Sequence, residues 1–268
     1  MTRKLLLLGN PGFVGVNYSP SVAPVLKRYK DFFKSEVGGY WTDGVNGEII
    51  EEPVGLDRKS EVTWLVFQLM ELNKNTDYSV IVFVGHGGAY LGNDQVQLSR
   101  GEVLPLSCLQ APLGMEDKIK RTIIVDACRS LIGAAPQQLV LEEKAFSGEG
   151  QLMGSYCRDY YNKVIEDCEP HVELLQSTKY GEFAKINPNH TGTAFSDALF
   201  DTFDKKVPHW NQEALGDRCG QLNKGIIDFL SDVQKGMVTY NQVPEYSRYG
   251  GNGNFPLYAV WRAVDRRL

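Results

Sequence analysis

The sequence has no cysteine pair at C-x-x-C spacing. Its five cysteines, Cys108, Cys128, Cys157, Cys168 and Cys219, form an odd and scattered set. That argues against a zinc ribbon or a redox dithiol and fits free thiols in a reducing cytoplasm. No apolar run approaches the roughly eighteen residues of a membrane-spanning helix. The N-terminal MTRKLLLLGNPG is too short in its apolar part for a signal peptide and reads as a first buried strand. Positive charge is not in excess: 28 Lys+Arg stand against 33 Asp+Glu, a formal net charge of −5. Neither a nucleic-acid partner nor an anionic membrane surface is therefore expected. Histidine is scarce, with four in the chain. No H-E-x-x-H occurs, and His171, His190 and His209 are scattered. GNPGFVG lacks the Gly-Lys-Ser/Thr ending of a phosphate loop, no G-x-G-x-x-G follows a strand, and there is no G-x-S-x-G elbow. No D-x-D-x-D-G loop is present, and Asp57, Asp94 and Glu51-Glu52 are too dispersed to argue for calcium. No metal and no cofactor is expected.

What is there is an ordinary globular composition, 43% hydrophobic and 23% charged over 268 residues, suited to one α/β domain spanning 1–268. Strand and helix signals alternate. Leu5–Leu8, VIVFV at 80–84, Thr122–Val125 and Val172–Leu175 are short, near-continuous apolar runs. Segment 89–99 reads as a hairpin around Gly92-Asn93-Asp94. Helical spacing joins Val22, Val25, Leu26, Tyr29, Phe32 and Phe33, with Gly38-Gly39 as the stop, and then Val62, Leu65, Val66, Leu69 and Met70. It recurs from Tyr156 to Cys168, from Ala194 to Phe203, and from Leu215 through Cys219, Leu222, Ile226 and Leu230 to Val233. PLYAVW predicts a last strand. Segment 130–154, rich in Gly and Ser around KAFSGEGQLMGS, predicts a long mobile loop, and such loops in compact domains are usually functional. The alternation predicts a mostly parallel sheet covered on both faces. In such sheets, ligands sit beyond the carboxyl ends of strands.

Two strand ends carry reactive groups. VIVFV runs into Gly85-His86-Gly87-Gly88, and TIIV runs into Asp126-Ala127-Cys128-Arg129. If the strands are neighbours, His86 and Cys128 share one rim. An imidazole beside a thiol is the minimal set for thiol acyl transfer. The glycines let a carbonyl approach, and the Gly87 and Cys128 N–H groups can form an oxyanion hole. Each residue alone has an ordinary reading, a surface histidine or a small buried thiol. The joint pattern is harder to explain that way. Strand alternation also puts Asp126 and Cys128 on one side and Arg129 on the other, where it anchors the turn.

These boxes resemble the caspase-like cysteine peptidases: caspases, metacaspases, paracaspases and their bacterial relatives. The caspase signature is Q-A-C-[RQG]-G with a histidine about 50 residues upstream. Here the segment reads Asp126-Ala127-Cys128-Arg129-Ser130, with its histidine 42 residues upstream. Phe83-Val84-Gly85-His86-Gly87, Leu174-Leu175-Gln176-Ser177-Thr178, Gly181-Glu182-Phe183-Ala184, the stretch Gly192–Leu199 and Gln242-Val243-Pro244 are similar to family segments, from Lys4 to about Val260. The resemblance implies a three-layer α/β sandwich with a mostly parallel sheet of about six strands. It implies a cysteine endopeptidase with a Cys128–His86 dyad acting on protein or peptide substrates, as a monomer or homodimer. Asp126, two before the cysteine, then floors the pocket for the residue preceding the cut. A buried carboxylate there favours Arg or Lys. Metacaspases often add a second acid after the first strand, but GNPGFVGVNYSPS has none. Glu182 is the expected substitute, with Ser177 beside the pocket. The loop at 130–154 takes the place of the caspase intersubunit linker, and Lys144 is a candidate self-cleavage site. Some metacaspases need calcium, which this sequence does not indicate. The alternatives are a caspase-fold adaptor that does not cleave and a non-proteolytic cysteine hydrolase.

Overall fold

The chain was analysed as a computed structural model that describes residues 1–12, 18–44, 46–53, 61–98, 102–110, 119–129, 154–187, 192–216 and 221–261. In chain order the elements are β1 (Arg3–Asn10), α1 (Val22–Lys34), β2 (Ile49–Pro53), α2 (Glu61–Asn75), β3 (Tyr78–Gly85), β4 (Gly87–Tyr90), β5 (Asn93–Gln97), β6 (Val103–Pro105) and α3 (Ser107–Gln110). They continue with β7 (Lys120–Ala127), α4 (Gly154–Asp167), β8 (His171–Gln176), α5 (Ala194–Gly216), β9 (Gln221–Gly225), α6 (Ile226–Met237), β10 (Glu245–Gly250) and β11 (Pro256–Trp261). The expected loop lies outside the described residues except for Gly154, which opens α4.

The main sheet has six strands in the order β10-β8-β7-β3-β1-β2. All its pairings are parallel except that of β10 with β8. This is the predicted mostly parallel α/β sheet. The four leucines of β1 show why both faces are covered. Leu5 and Leu7 join one core, with Val80, Val82, Ile124 and Leu175 from neighbouring strands. Leu6 and Leu8 join the other, with Ile81, Phe83, Ile123 and Leu174. All four leucines are fully buried, each worth about 2 kcal/mol relative to exposure. The first core is roofed by α1, through Val25, Leu26, Tyr29 and Phe33, and by aromatics of α5 such as Phe195, Phe200 and Phe203. Phe203 also meets Trp210 edge-on. The second core is covered by Leu65, Leu69 and Leu72 of α2 and by Val96, Leu98 and Leu104 around the small sheet.

That small sheet, β4-β5-β6, contains the expected hairpin. Ala89 pairs with Asp94 and Tyr90 with Asn93, leaving a two-residue turn. One expected helix is wrong at its start. Leu222 belongs to β9, and the helix begins only at Ile226. Leu222 falls four residues before Ile226 by coincidence of spacing, and pairing with β11 overrides the helical pattern. The PLYAVW strand exists, but it pairs with β9 in a separate two-stranded sheet.

Candidate active site

β3 and β7 are parallel neighbours, and Gly85 pairs with Ala127 at their last matched position. The next residue on each strand is His86 and Cys128, so both leave the sheet at the same level. Gly87 closes the gap between the two turns. A Cβ there would sit 2.7 Å from the Cys128 carbonyl oxygen and 3.0 Å from Ala127 Cβ, so only glycine fits without a shift. The Gln97 amide donates to the His86 carbonyl at 2.9 Å. This makes His86/Gln97 a bonded pair of the antiparallel hairpin and Gly87/Val96 a non-bonded one, so the Gly87 N–H faces away from β5.

His86 is half-buried, and its Nε2 is buried without a hydrogen-bond partner among the described residues. Such an atom costs free energy unless something else supplies the bond. Cys128 is a free thiol, and burial raises its pKa. The Ala184 amide pulls it back, the Asp126 charge pushes it further up, and Lys185 and its own amide pull it down.

Asp126 is fully buried on the α1–α5 face. Its carboxyl is pushed up to about 7 by burial, with the hydroxyls of Thr193 and Ser177 acting against that and the Asp197 charge adding to it. Oδ2 accepts the Thr193 hydroxyl, and Oδ1 has no partner among the described residues. Thr193 is also the residue before α5. The Ser196 amide donates to its Oγ1 at 2.9 Å, and its own amide donates to Ser196 Oγ at 3.0 Å. This is a capping pair of the helix N-terminus. The Thr193-Ala194-Phe195-Ser196 pattern carried that cap; nothing in it announced the bond to Asp126.

Ser177 is fully buried, and its hydroxyl donates to the Ala127 carbonyl at 3.3 Å. The Glu182 carboxylate is taken up by backbone amides, Lys179 at 3.2 Å and Val243 at 3.3 Å. The carboxylate felt at Asp126 is instead Asp197, which itself holds Arg28 and accepts from Asn187 Nδ2 at 3.0 Å. Gln242 bridges the loop that follows β8. Its Nε2 donates to the Ser177 carbonyl at 2.8 Å, and its Oε1 accepts the Lys185 amide at 2.9 Å.

Arg129 is more than a turn anchor. Its Nε and Nη2 grip Asp94 Oδ1 and Oδ2 at 3.0 and 2.7 Å. Its Nη1 donates to the Thr178 carbonyl at 2.8 Å and to Glu245 of β10. Asp94 is thus committed to a protein cation, as is Glu51, which pairs with Lys30 at 2.8 Å. Among the described residues no group of three or more His, Cys, Asp or Glu is arranged to hold a metal ion. No helix among them is long and apolar enough to cross a membrane. Lys144 and Asp57 lie outside the described residues.

No protein-family model and no curated protein sequence matches the chain. Solved structures do. Caspase-1 from Spodoptera frugiperda is similar with a TM-score of 0.53 at 11% identity, over 92% of this chain and 86% of that one. The protein GSU0716 from Geobacter sulfurreducens is similar with a TM-score of 0.58 at 11% identity, over 93% and 94% of the two chains. At this identity the likeness speaks to architecture: the chain has a caspase-like fold.

Proposed function

We propose that the protein is a cysteine endopeptidase that uses Cys128 and His86 and cuts after Arg or Lys. The observation that carries this reading is the level exit of the two residues from paired strands, Gly85 opposite Ala127. The Cys128 sulfur attacks the scissile carbonyl carbon while its proton passes to His86. The oxyanion is met by the Gly87 and Cys128 N–H groups. His86 then gives that proton to the leaving amine, and a water molecule, deprotonated by His86, hydrolyses the thioester. A thiol whose pKa is raised by burial suits a general-base mechanism.

The basic preference rests on Asp126. Its orphaned oxygen and raised pKa mark a buried carboxylate lacking a cation. A guanidinium or ammonium brought by the substrate relieves that cost. Lys144 is the proposed site of self-processing, and Cys128→Ala protein left alone should stay uncut there. Fluorogenic peptides with Arg, Lys, Asp or Leu before the cut test the whole reading. Arg and Lys turnover, lost in Cys128→Ala, is expected. No turnover at all favours a binding adaptor on the same fold, and turnover of Asp peptides alone removes the pocket assignment.

A further inference from the structure

The covalent link from His86 to Cys128 runs through more than forty residues, many outside the described set, and cannot by itself fix how the two side chains stand to one another. A shorter path exists. Arg129 follows Cys128 directly and grips Asp94 with both arms of its fork, at 3.0 and 2.7 Å. Asp94 sits on β5, opposite Ala89 of β4. Three residues further along β5, the Gln97 amide holds the His86 carbonyl at 2.9 Å. Gly87 then packs back against the Cys128 carbonyl. The path closes into a ring: Cys128, Arg129, Asp94, β5, Gln97, His86, Gly87 and again Cys128.

Both ends of the ring are held. The Gln97 carbonyl accepts Asn10 Nδ2 at 2.5 Å, which ties the hairpin to the end of β1. Gln176 Nε2 donates to Asp94 Oδ2 at 3.2 Å, and the third arm of the guanidinium goes to Thr178 and Glu245. The Arg129 amide donates to the Glu182 carbonyl at 2.9 Å, and its carbonyl accepts the Gly181 amide at 3.0 Å. The guanidinium is buried, with a side-chain exposure of 10%. A two-pronged pair fixes angle as well as distance, unlike a point charge.

We propose that Asp94 and Arg129 form a clasp that sets His86 relative to Cys128, so that both are positioning residues for the peptidase chemistry. This rests on the cysteine-peptidase reading above. Misplacing a reacting pair by about 1 Å costs on the order of 100-fold in rate. Neither side chain of the clasp bonds to Asp126, so its loss should lower kcat and spare KM.

The test uses the full chain with Asp94→Asn and, separately, Arg129→Lys, which keeps the charge and loses the fork. Two quantities are read: kcat and KM on an Arg peptide, and the pH profile of Cys128 alkylation by iodoacetamide, with Cys108 as internal reference. Asp94→Asn is expected to lower kcat about 100-fold with KM within about threefold. The alkylation profile should lose the limb that His86→Ala also removes. Arg129→Lys should act in the same direction and less strongly. If Asp94→Asn does not fold, Asp94→Glu, which keeps the charge on a longer arm, is judged by the same two readings. A folded variant with unchanged kcat and an unchanged profile overturns the clasp, as does a loss confined to KM. A wild-type profile with no limb sensitive to His86→Ala overturns the dyad itself, which separates the two failures.

Discussion

Two buried carboxylates, at opposite ends of the central sheet, were given opposite fates. Glu48 lies near the start of β1. Burial pushes its pKa up, yet Arg3, the Thr42 amide and Arg158 outweigh that and hold it below the usual range. Arg3 Nε reaches it at 3.0 Å, Arg158 Nη2 at 2.7 Å and the Thr42 amide at 2.8 Å. Asp126, past the middle of the sheet at the carboxyl ends, has two hydroxyls for company, no cation among the described residues, and a pKa of about 7. The contrast separates an acid held by two arginines from one that the described residues leave without a cation. Buried charges without partners are expensive, and the cation proposed to offset that cost at Asp126 is one that the substrate brings.

The sharpest way to break this contrast is to neutralise each acid in turn. Asp126→Asn should cut kcat/KM on Arg peptides by about 1000-fold, the scale of a lost buried ion pair, while leaving the unfolding midpoint unchanged or higher. Steady-state kinetics alongside chemical denaturation reads both. Glu48→Gln should do the reverse. It strands Arg3 and Arg158 and should lower stability by about 3–5 kcal/mol, with the Arg-to-Leu peptide preference intact. A variant of Glu48 that changes that preference breaks the comparison.

Acidity sharpens it further. An ordinary aspartate loses its proton near pH 4 when unfolded, whereas folded Asp126 keeps its proton to about 7. Between those values the native state binds more protons than the unfolded one, so stability falls as pH rises, by on the order of a few kcal/mol, and levels off above. Glu48 runs the other way. Its stabilisation is present above the unfolded value and disappears as pH falls through the lowered folded one. Urea titrations across pH 4 to 8 should show the Asp126 slope in the wild type and lose it in Asp126→Asn. The smallest effect belongs to Thr193→Val. Without the hydroxyl on Oδ2, the Asp126 carboxyl rises further, and the acidic limb of the activity profile moves to higher pH. An unmoved limb assigns it to another group.

The parts of this contrast that lie on strands were legible in the sequence. The apolar runs of β3 and β7 mark strands that end at Gly85 and Ala127, and the two residues of the proposed dyad follow one position later. The weak strands were not legible. β9 has one strongly apolar residue, Leu222, and that residue mimics the next helix. β2 and β10 carry charges, and β10 sits at the sheet edge, where charge is tolerated. Long-range polar partners were also hidden. Asp94 and Glu245 meet Arg129 across 35 and 116 residues of chain, and no local pattern encodes such a meeting. Glu182 looked like a pocket acid because of where its segment falls; two backbone amides claim its carboxylate. The role of Gln242, bridging Ser177 and Lys185, is invisible for the same reason.

The edge strand β10 has a consequence in time. Glu245 supplies one of the acceptors that immobilise Arg129, and it lies 116 residues further along the chain. A ribosome delivers His86 and Cys128 long before it delivers Glu245. Domains fold as units as they emerge, so a growing chain holds His86, Cys128 and Arg129 while this acceptor is still unmade. The order of synthesis thus leaves the Arg129 guanidinium without one of its acceptors until Glu245 has been made.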